Sequence, residues 1–151
     1  MNAVSDSAFF IGLERIGRSE LIPRIFDSIS VPPAVEAEVG SLPDCVSVVQ
    51  PKNSVLVSAL KTQIDDGEAE AIALAMERQG SVLVLDDRKA RKIALRMGLK
   101  VLGTVGVLVQ AKSDGIIREV RSILDGLIEV GFRISDELYE EALALADEAL
   151  S

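Results

Sequence analysis

Residues 82–85, Val82-Leu83-Val84-Leu85, form an unbroken apolar run that stops at Asp86-Asp87, with a helical pattern on either side. No other feature of the chain constrains its fold as strongly. Four consecutive apolar residues suit a strand buried on both faces, as in a parallel sheet covered by helices. Before the run, residues 68–79 carry a helical pattern that Gly80 closes. After it, residues 88–97 set Ala90, Ile93, Ala94 and Met97 on one side of a basic helix. Helix, buried strand, helix is the signature of an α/β fold.

The rest of the chain repeats that alternation. A short strand at Ala3-Val4-Ser5 ends at Asp6, and Phe9, Phe10, Leu13 and Ile16 then recur at helical spacing up to Gly17. Ser19 suits the cap of a second helix reaching about Asp27, with Pro23 in its first turn. Ile29-Ser30-Val31 reads as a strand, and Pro32-Pro33 opens a helix that Gly40 closes. Residues 46–49 suit an edge strand, 55–64 a short helix or irregular segment, and Asp65-Asp66-Gly67 a turn and cap. Lys100-Val101-Leu102 is the next strand and Gly103-Thr104 starts a helix. Two more helices are predicted over 116–130 and 135–150, the second capped by Ser135. The expectation is one domain over 1–151, with a mainly parallel central sheet and helices on both sides.

Composition removes several chemistries. The chain has no His and one Cys, Cys45. Triads that need imidazole, His-ligated metals, Cys-based zinc sites and an internal disulfide are therefore excluded. Cys45 itself reads as a small buried hydrophobe rather than a nucleophile. Catalysis is left to carboxylate, Lys, Ser, Thr or Tyr, or to a hard cation held by carboxylates. No apolar stretch is long enough to span a membrane, and Met1-Asn2-Ala3-Val4-Ser5-Asp6 has no basic leader, so a cytoplasmic location is expected.

Two charge patterns stand out against the net charge of −8. Residues 135–151 hold six acids and no base, while Arg88, Lys89, Arg91, Lys92, Arg96 and Lys100 follow one another with no acid between them. Arg88, Lys92 and Arg96 fall at i, i+4 and i+8 and make one stripe, suited either to phosphate backbones or to a solvated face. Only 3% of residues are aromatic, which argues against base stacking as a source of sequence preference.

Ligands of an open parallel sheet lie beyond the carboxyl ends of its strands. Asp6 and Asp86-Asp87 stand at such ends, and Glu38 and Glu68 lie on helices that follow strands. If these helices start near one sheet edge, four carboxylates converge. Their mutual repulsion favours a divalent cation, and oxygen-only ligands select Mg²⁺ or Mn²⁺. The same acids also suit caps and turns at Asp6, Asp86 and Asp87, a solvated face at Glu38, and first-turn helix acids at Glu68 and Glu70. An acid pair after the first strand, as a phosphoacceptor receiver domain needs, is absent. So is the Asp-x-Asp of a haloacid-dehalogenase phosphatase.

Four motifs occur in order: Asp6-Ser7-Ala8-Phe9, Pro32-Pro33-Ala34-Val35-Glu36-Ala37-Glu38, Gly67-Glu68-Ala69-Glu70-Ala71-Ile72-Ala73-Leu74-Ala75 and Asp86-Asp87-Arg88-Lys89-Ala90-Arg91. Gly103-Thr104-Val105-Gly106-Val107-Leu108 and Gly131-Phe132-Arg133-Ile134-Ser135 follow. The ordered set, spanning almost the whole chain, resembles a PIN-domain protein. The resemblance implies a metal-dependent ribonuclease of the kind found as the toxin of toxin–antitoxin pairs. Asp6 matches the first acid and Glu38 the second. The third falls on Glu68 or Glu70 and the fourth on Asp86 or Asp87. Ala8 and Phe9 stand where such members usually have Ser and Pro, while Ser7 keeps a hydroxyl. The expected catalytic set is Asp6, Glu38, Glu68 and Asp86, with Glu70 and Asp87 as further metal ligands for Mg²⁺ or Mn²⁺. Arg88, Lys92, Arg96 and Ser7 are expected to contact RNA. The resemblance further implies a homodimer and a small antitoxin partner, and the apolar stripe of the last helix (Leu138, Ala142, Leu145 and Ala149, with Tyr139, Leu143, Ala146 and Leu150 beside them) suits a dimer contact. The competing reading is a non-catalytic PIN-like module that binds RNA or a partner protein.

Overall fold

The computed structural model describes residues 1–149. Five strands, β1 (Asn2–Ser5), β2 (Ser28–Val31), β3 (Val46–Val48), β4 (Val82–Val84) and β5 (Val101–Leu102), form one all-parallel sheet in the order β3-β2-β1-β4-β5. β1 holds the middle, pairing Ala3 with Ile29 on one side and with Val82 on the other. The apolar run at 82–85 is the interior strand β4 and its exit. The chain moves outward from β1 in one direction through β2 and β3, then in the other through β4 and β5. The order therefore reverses between β1 and β4, the switch point where such sheets bind ligands.

Among the described residues nine α-helices cover the sheet: α1 (Ser7–Arg15), α2 (Ile22–Ile25), α3 (Pro33–Val39), α4 (Ser54–Leu60), α5 (Asp66–Met76), α6 (Arg88–Arg96), α7 (Thr104–Ser113), α8 (Arg121–Glu129) and α9 (Asp136–Leu145). Alternation along the strands sorts the core into two layers. Val4, Leu83 and Leu85 point to one face, against Ala69, Ile72 and Leu74 of α5 and Ala90 and Ala94 of α6. Ala3, Ile29, Val31 and Val84 point to the other, against Phe9, Phe10 and Leu13 of α1, Leu108 of α7 and Leu124 and Leu127 of α8. The alanine-rich α5 lets its helix lie close to β1 and β4.

Four local expectations are corrected. The helix expected over 19–27 is a 3₁₀ turn (Ser19–Leu21) leading into the four-residue α2, because Pro23 has no N–H for a continuous ladder. The helix expected over 116–130 begins only at Arg121. There the Glu148 carboxylate accepts hydrogen bonds from the backbone N–H of Val120 (2.7 Å) and of Arg121 (3.0 Å), satisfying first-turn donors from outside. The last helix stops at Leu145 rather than reaching 150: Asp147 takes φ of 59° and the Glu148 N–H returns to Leu143 O at 2.7 Å. Leu150 lies outside the described residues. Cys45 is exposed, since it sits in the turn before the edge strand β3 rather than within the strand.

Candidate functional site

Asp6 leaves the carboxyl end of β1, and its backbone N–H donates to Val84 O of β4 at 3.0 Å, so the two strand ends are tied together where the sheet order reverses. It occupies the N-cap position of α1, yet its side chain makes no capping hydrogen bond. Its carboxylate is buried instead, with Oδ1 the one buried side-chain polar atom among the described residues that has no partner. Burial is the main reason its pKa rises from 3.8 to about 6. The Ser7 backbone N–H opposes the rise, and the charges of Glu38, Asp65 and Asp86 add to it.

Glu38 approaches from α3. Its Oε2 accepts the Ser7 hydroxyl at 2.8 Å, and its Oε1 lies over Gly67 in the first turn of α5. A Cβ at position 67 would collide with Glu38 Oε1 and stand 3.4 Å from Asp6 Oδ1. Glycine thus keeps open the space that both carboxylates face. Glu68, the next residue, closes a capping box with Asp65, accepting the Asp65 N–H at 3.3 Å while Asp65 Oδ1 accepts the Glu68 N–H at 2.9 Å. Its pKa is pushed up to about 7, by burial first and then by the charges of Asp65, Asp87 and Asp6.

The other two candidate acids of these motifs also serve helix starts, Asp87 while its charge still reaches Glu68. Glu70 Oε1 accepts the Ala34 N–H at 3.2 Å in the first turn of α3, and its Oε2 lies 3.7 Å from Lys61 Nζ. Asp87 caps α6, accepting the Ala90 N–H at 2.9 Å. Asp86 faces the start of α7, where its Oδ1 accepts the Thr104 N–H at 2.8 Å and its Oδ2 the Thr104 hydroxyl at 2.6 Å. Gly103, before Thr104, has no room for a Cβ, which would stand 2.6 Å from Arg91 Nη1 and 2.9 Å from Asp86 Oδ1.

The structure thus brings Asp6, Ser7 and Glu38 into one constellation, with Asp86 and Glu68 near enough to act on it electrostatically. Among the described residues, no three acids already stand together as a metal cluster. Asp65 is a member that sequence reasoning treats only as a cap. It is a cap, but its charge also reaches both Asp6 and Glu68. The Asp-x-x-Glu spacing was the available signal, and only the tertiary fold reveals its second neighbour.

Along α6, Arg88, Lys92 and Arg96 are exposed, while Arg91 folds inward to donate to Leu85 O at 3.3 Å. Arg88 and Lys92 share with Asp86 a cavity of about 620 Å³ between α6, α7 and α9; Arg96 lies outside it. Leu95 of α6 and Leu138 and Leu145 of α9 also line this cavity and are 56%, 40% and 68% exposed. The apolar stripe expected on α9 therefore divides, with Ala142, Leu143 and Ala146 buried in the domain and Leu138 and Leu145 open. No helix among the described residues is long and apolar enough to cross a membrane.

A family model described as a PIN domain matches residues 2–148 of the chain. No curated protein and no solved structure matches it.

Proposed function

Because the chain belongs to the PIN-domain family, whose members are generally nucleases, we propose that it is a metal-dependent endoribonuclease that hydrolyses RNA phosphodiester bonds beyond the ends of β1 and β4. The observation that carries this reading is Asp6 Oδ1, a buried carboxylate oxygen with no donor, facing the space that Gly67 leaves open beneath Glu38. An unpartnered buried acceptor costs about 1–3 kcal/mol, more when charged, and nearby carboxylates raise the cost. A hard cation would relieve both. The donors are all oxygens, which fits Mg²⁺ or Mn²⁺.

Asp6, Glu38, Glu68 and Asp86 are the proposed holders. Glu70 and Asp87, which also accept N–H groups at the starts of α3 and α6, are proposed as further ligands. A bound divalent ion would supply an acidified water and offset charge developing on the phosphate. The chain's own residues orient the acids. Ser7 donates its hydroxyl to Glu38, and Thr104 fixes both oxygens of Asp86. Arg88, Lys92 and Arg96 attract the phosphate backbone without reading bases.

The ordered motifs support the narrower assignment as the toxin of a toxin–antitoxin pair, acting in the cytoplasm and held by a small antitoxin protein. Exposed Leu95, Leu138 and Leu145 support a homodimer through this face. A parent chain that scatters light as a monomer at micromolar concentration, unchanged by Leu145→Glu, would remove the dimer.

Two observations favour a second reading, a non-catalytic module that binds RNA or a partner protein. Position 8 is Ala, and among the described residues no three acids converge as a metal cluster. The deciding experiment incubates labelled single-stranded RNA with the chain in Mn²⁺, in EDTA, and with Asp6→Asn in Mn²⁺. Cleavage only in the first condition supports the enzyme. Binding without cleavage in all three supports the module.

A further inference from the structure

The motif Gly131-Phe132-Arg133-Ile134-Ser135 has no part in the acidic centre, yet the structure sets it beside that centre. Phe132 and Arg133 line the 620 Å³ cavity that holds Asp86, Arg88 and Lys92. They also line a second cavity of about 450 Å³, whose other walls are Ser7, Ile11, Gly12 and Arg15 of α1. The two cavities thus share one wall, and each opens on one member of the site, Asp86 in the first and Ser7 in the second.

This wall is held in place by close packing. At Gly12 of α1, a Cβ would stand 3.0 Å from Leu127 Cδ2 and 3.3 Å from Phe132 Cδ2, so a larger residue would push the loop after α8 away. The Phe132 N–H donates to Leu127 O at 2.9 Å, fixing the same loop to the end of α8. Arg133 then emerges exposed next to the face of α1 that carries Ser7, Ile11 and Arg15 at i, i+4 and i+8. Ser7 and Arg15 are about 12 Å apart along the helix axis, at roughly 1.5 Å per residue. Among the described residues, no acid pairs with Arg15 or Arg133, and none lines the second cavity.

We propose that Arg15 and Arg133 form a second phosphate-binding flank, so that a single RNA strand crosses the acidic centre with backbone phosphates on Arg88 and Lys92 on one side and on Arg15 and Arg133 on the other. This rests on the ribonuclease reading above. A polyanion laid over Asp6, Glu38 and Asp86 is repelled at the middle of its path. Cations on one side alone would hold it beside the acids, whereas cations on both sides hold it across them. Arg133 borders both cavities, and the second adds Arg15 beside Ser7 with no acid in its lining.

The test measures affinity of the full chain for a fluorescently labelled single-stranded oligoribonucleotide across a salt series, in EDTA so that no cleavage intervenes. The parent is compared with Arg15→Gln/Arg133→Gln and with Arg88→Gln/Lys92→Gln, all at exposed positions, with melting temperature as a folding control. Each pair should lower the slope of log affinity against log salt by about 1.4, at roughly 0.7 per single-strand phosphate contact. A charge-reversed variant, Arg15→Glu/Arg133→Glu, should weaken binding further. An Arg15/Arg133 variant that binds with the parent's affinity and slope, while Arg88→Gln/Lys92→Gln loses both, overturns the second flank alone. A parent chain that binds no RNA overturns the flank together with the reading it rests on.

Discussion

Thr104 engages both oxygens of Asp86, donating its backbone N–H to Oδ1 at 2.8 Å and its hydroxyl to Oδ2 at 2.6 Å. The pair links the exit of β4 to the first turn of α7, where Gly103 offers no capping side chain of its own. Asp86 therefore does two things at once: it caps a neighbouring helix and faces the crevice at the switch point. Fully buried Thr104 sets the orientation in which it does so.

Thr104→Val keeps the shape and removes the hydroxyl donor. We expect a loss of about 1–2 kcal/mol in stability, from an acceptor left short of one bond. RNA cleavage should fall by more than that loss explains, on the order of tenfold, because Asp86 gains freedom to rotate. Thr104→Ser should restore most of it. Urea titration and single-turnover cleavage measure the two effects, and a Val variant with parental cleavage would make Thr104 purely structural.

Asp6 makes the metal-free protein less stable as pH rises. Its carboxyl titrates near 3.8 in the unfolded chain and near 6 in the fold. The folded state thus binds the extra proton, and the associated stability is complete below about pH 3.8 and is lost as pH rises through 6. Asp6→Asn removes this dependence. In EDTA at pH 8 the variant should be more stable than the parent by on the order of 2–3 kcal/mol, an advantage that vanishes near pH 4. Denaturant melts at the two pH values decide it, and a variant weaker than the parent at pH 8 would give Asp6 a structural role.

Gly67→Ala separates the site from the fold in a different way. Alanine in a helix ordinarily stabilises by roughly 0.5–1 kcal/mol over glycine. Here its Cβ displaces the Glu38 carboxylate, whose exposed chain can swing away without disturbing the core. Melting temperature should hold, while Mn²⁺ affinity by calorimetry drops about tenfold, the loss expected when one ligand is turned aside. Unchanged Mn²⁺ binding would mean that the space over Gly67 serves no ion.

Neutralising Arg88, Lys92 and Arg96 together should flatten the salt dependence of RNA binding by about 2 in slope, at roughly 0.7 per contact. Because Arg96 lies outside the cavity that Arg88 and Lys92 share with Asp86, Arg96→Gln alone should leave the cleavage rate at saturating RNA unchanged. A lower rate in that variant would require Arg96 to act nearer the centre than its position allows.

Much of the architecture can be read from local pattern. The run at 82–85 and the strand at 3–5 stop at acids, and the helices between them follow apolar spacing set by neighbours three and four residues away. What local pattern cannot carry is which strand ends become neighbours. Asp6 and Asp86 are 80 positions apart, and only the β1–β4 pairing joins them. The same limit hides Asp65 beside Asp6, and Glu70 turned to Ala34 and Lys61. It also moves the start of α8, since Glu148 supplies that helix's first acceptor from far along the chain. Motif order found the acids; tertiary packing decides which way each one points.

The distance in sequence between Glu148 and the helix it closes has a consequence for how the protein is made. A ribosome adds about 5–20 residues per second, so the 27 residues from Arg121 to Glu148 take on the order of 1–5 s to appear. Throughout that interval the first turn of α8 lacks the carboxylate that answers its backbone donors, and Lys112 lacks its anionic neighbour. The wall bearing Phe132 and Arg133 hangs from the other end of that same helix, where the Phe132 N–H donates to Leu127 O at 2.9 Å. During translation the acids that end β1 and β4 are therefore made well before the carboxylate that answers the first turn of α8.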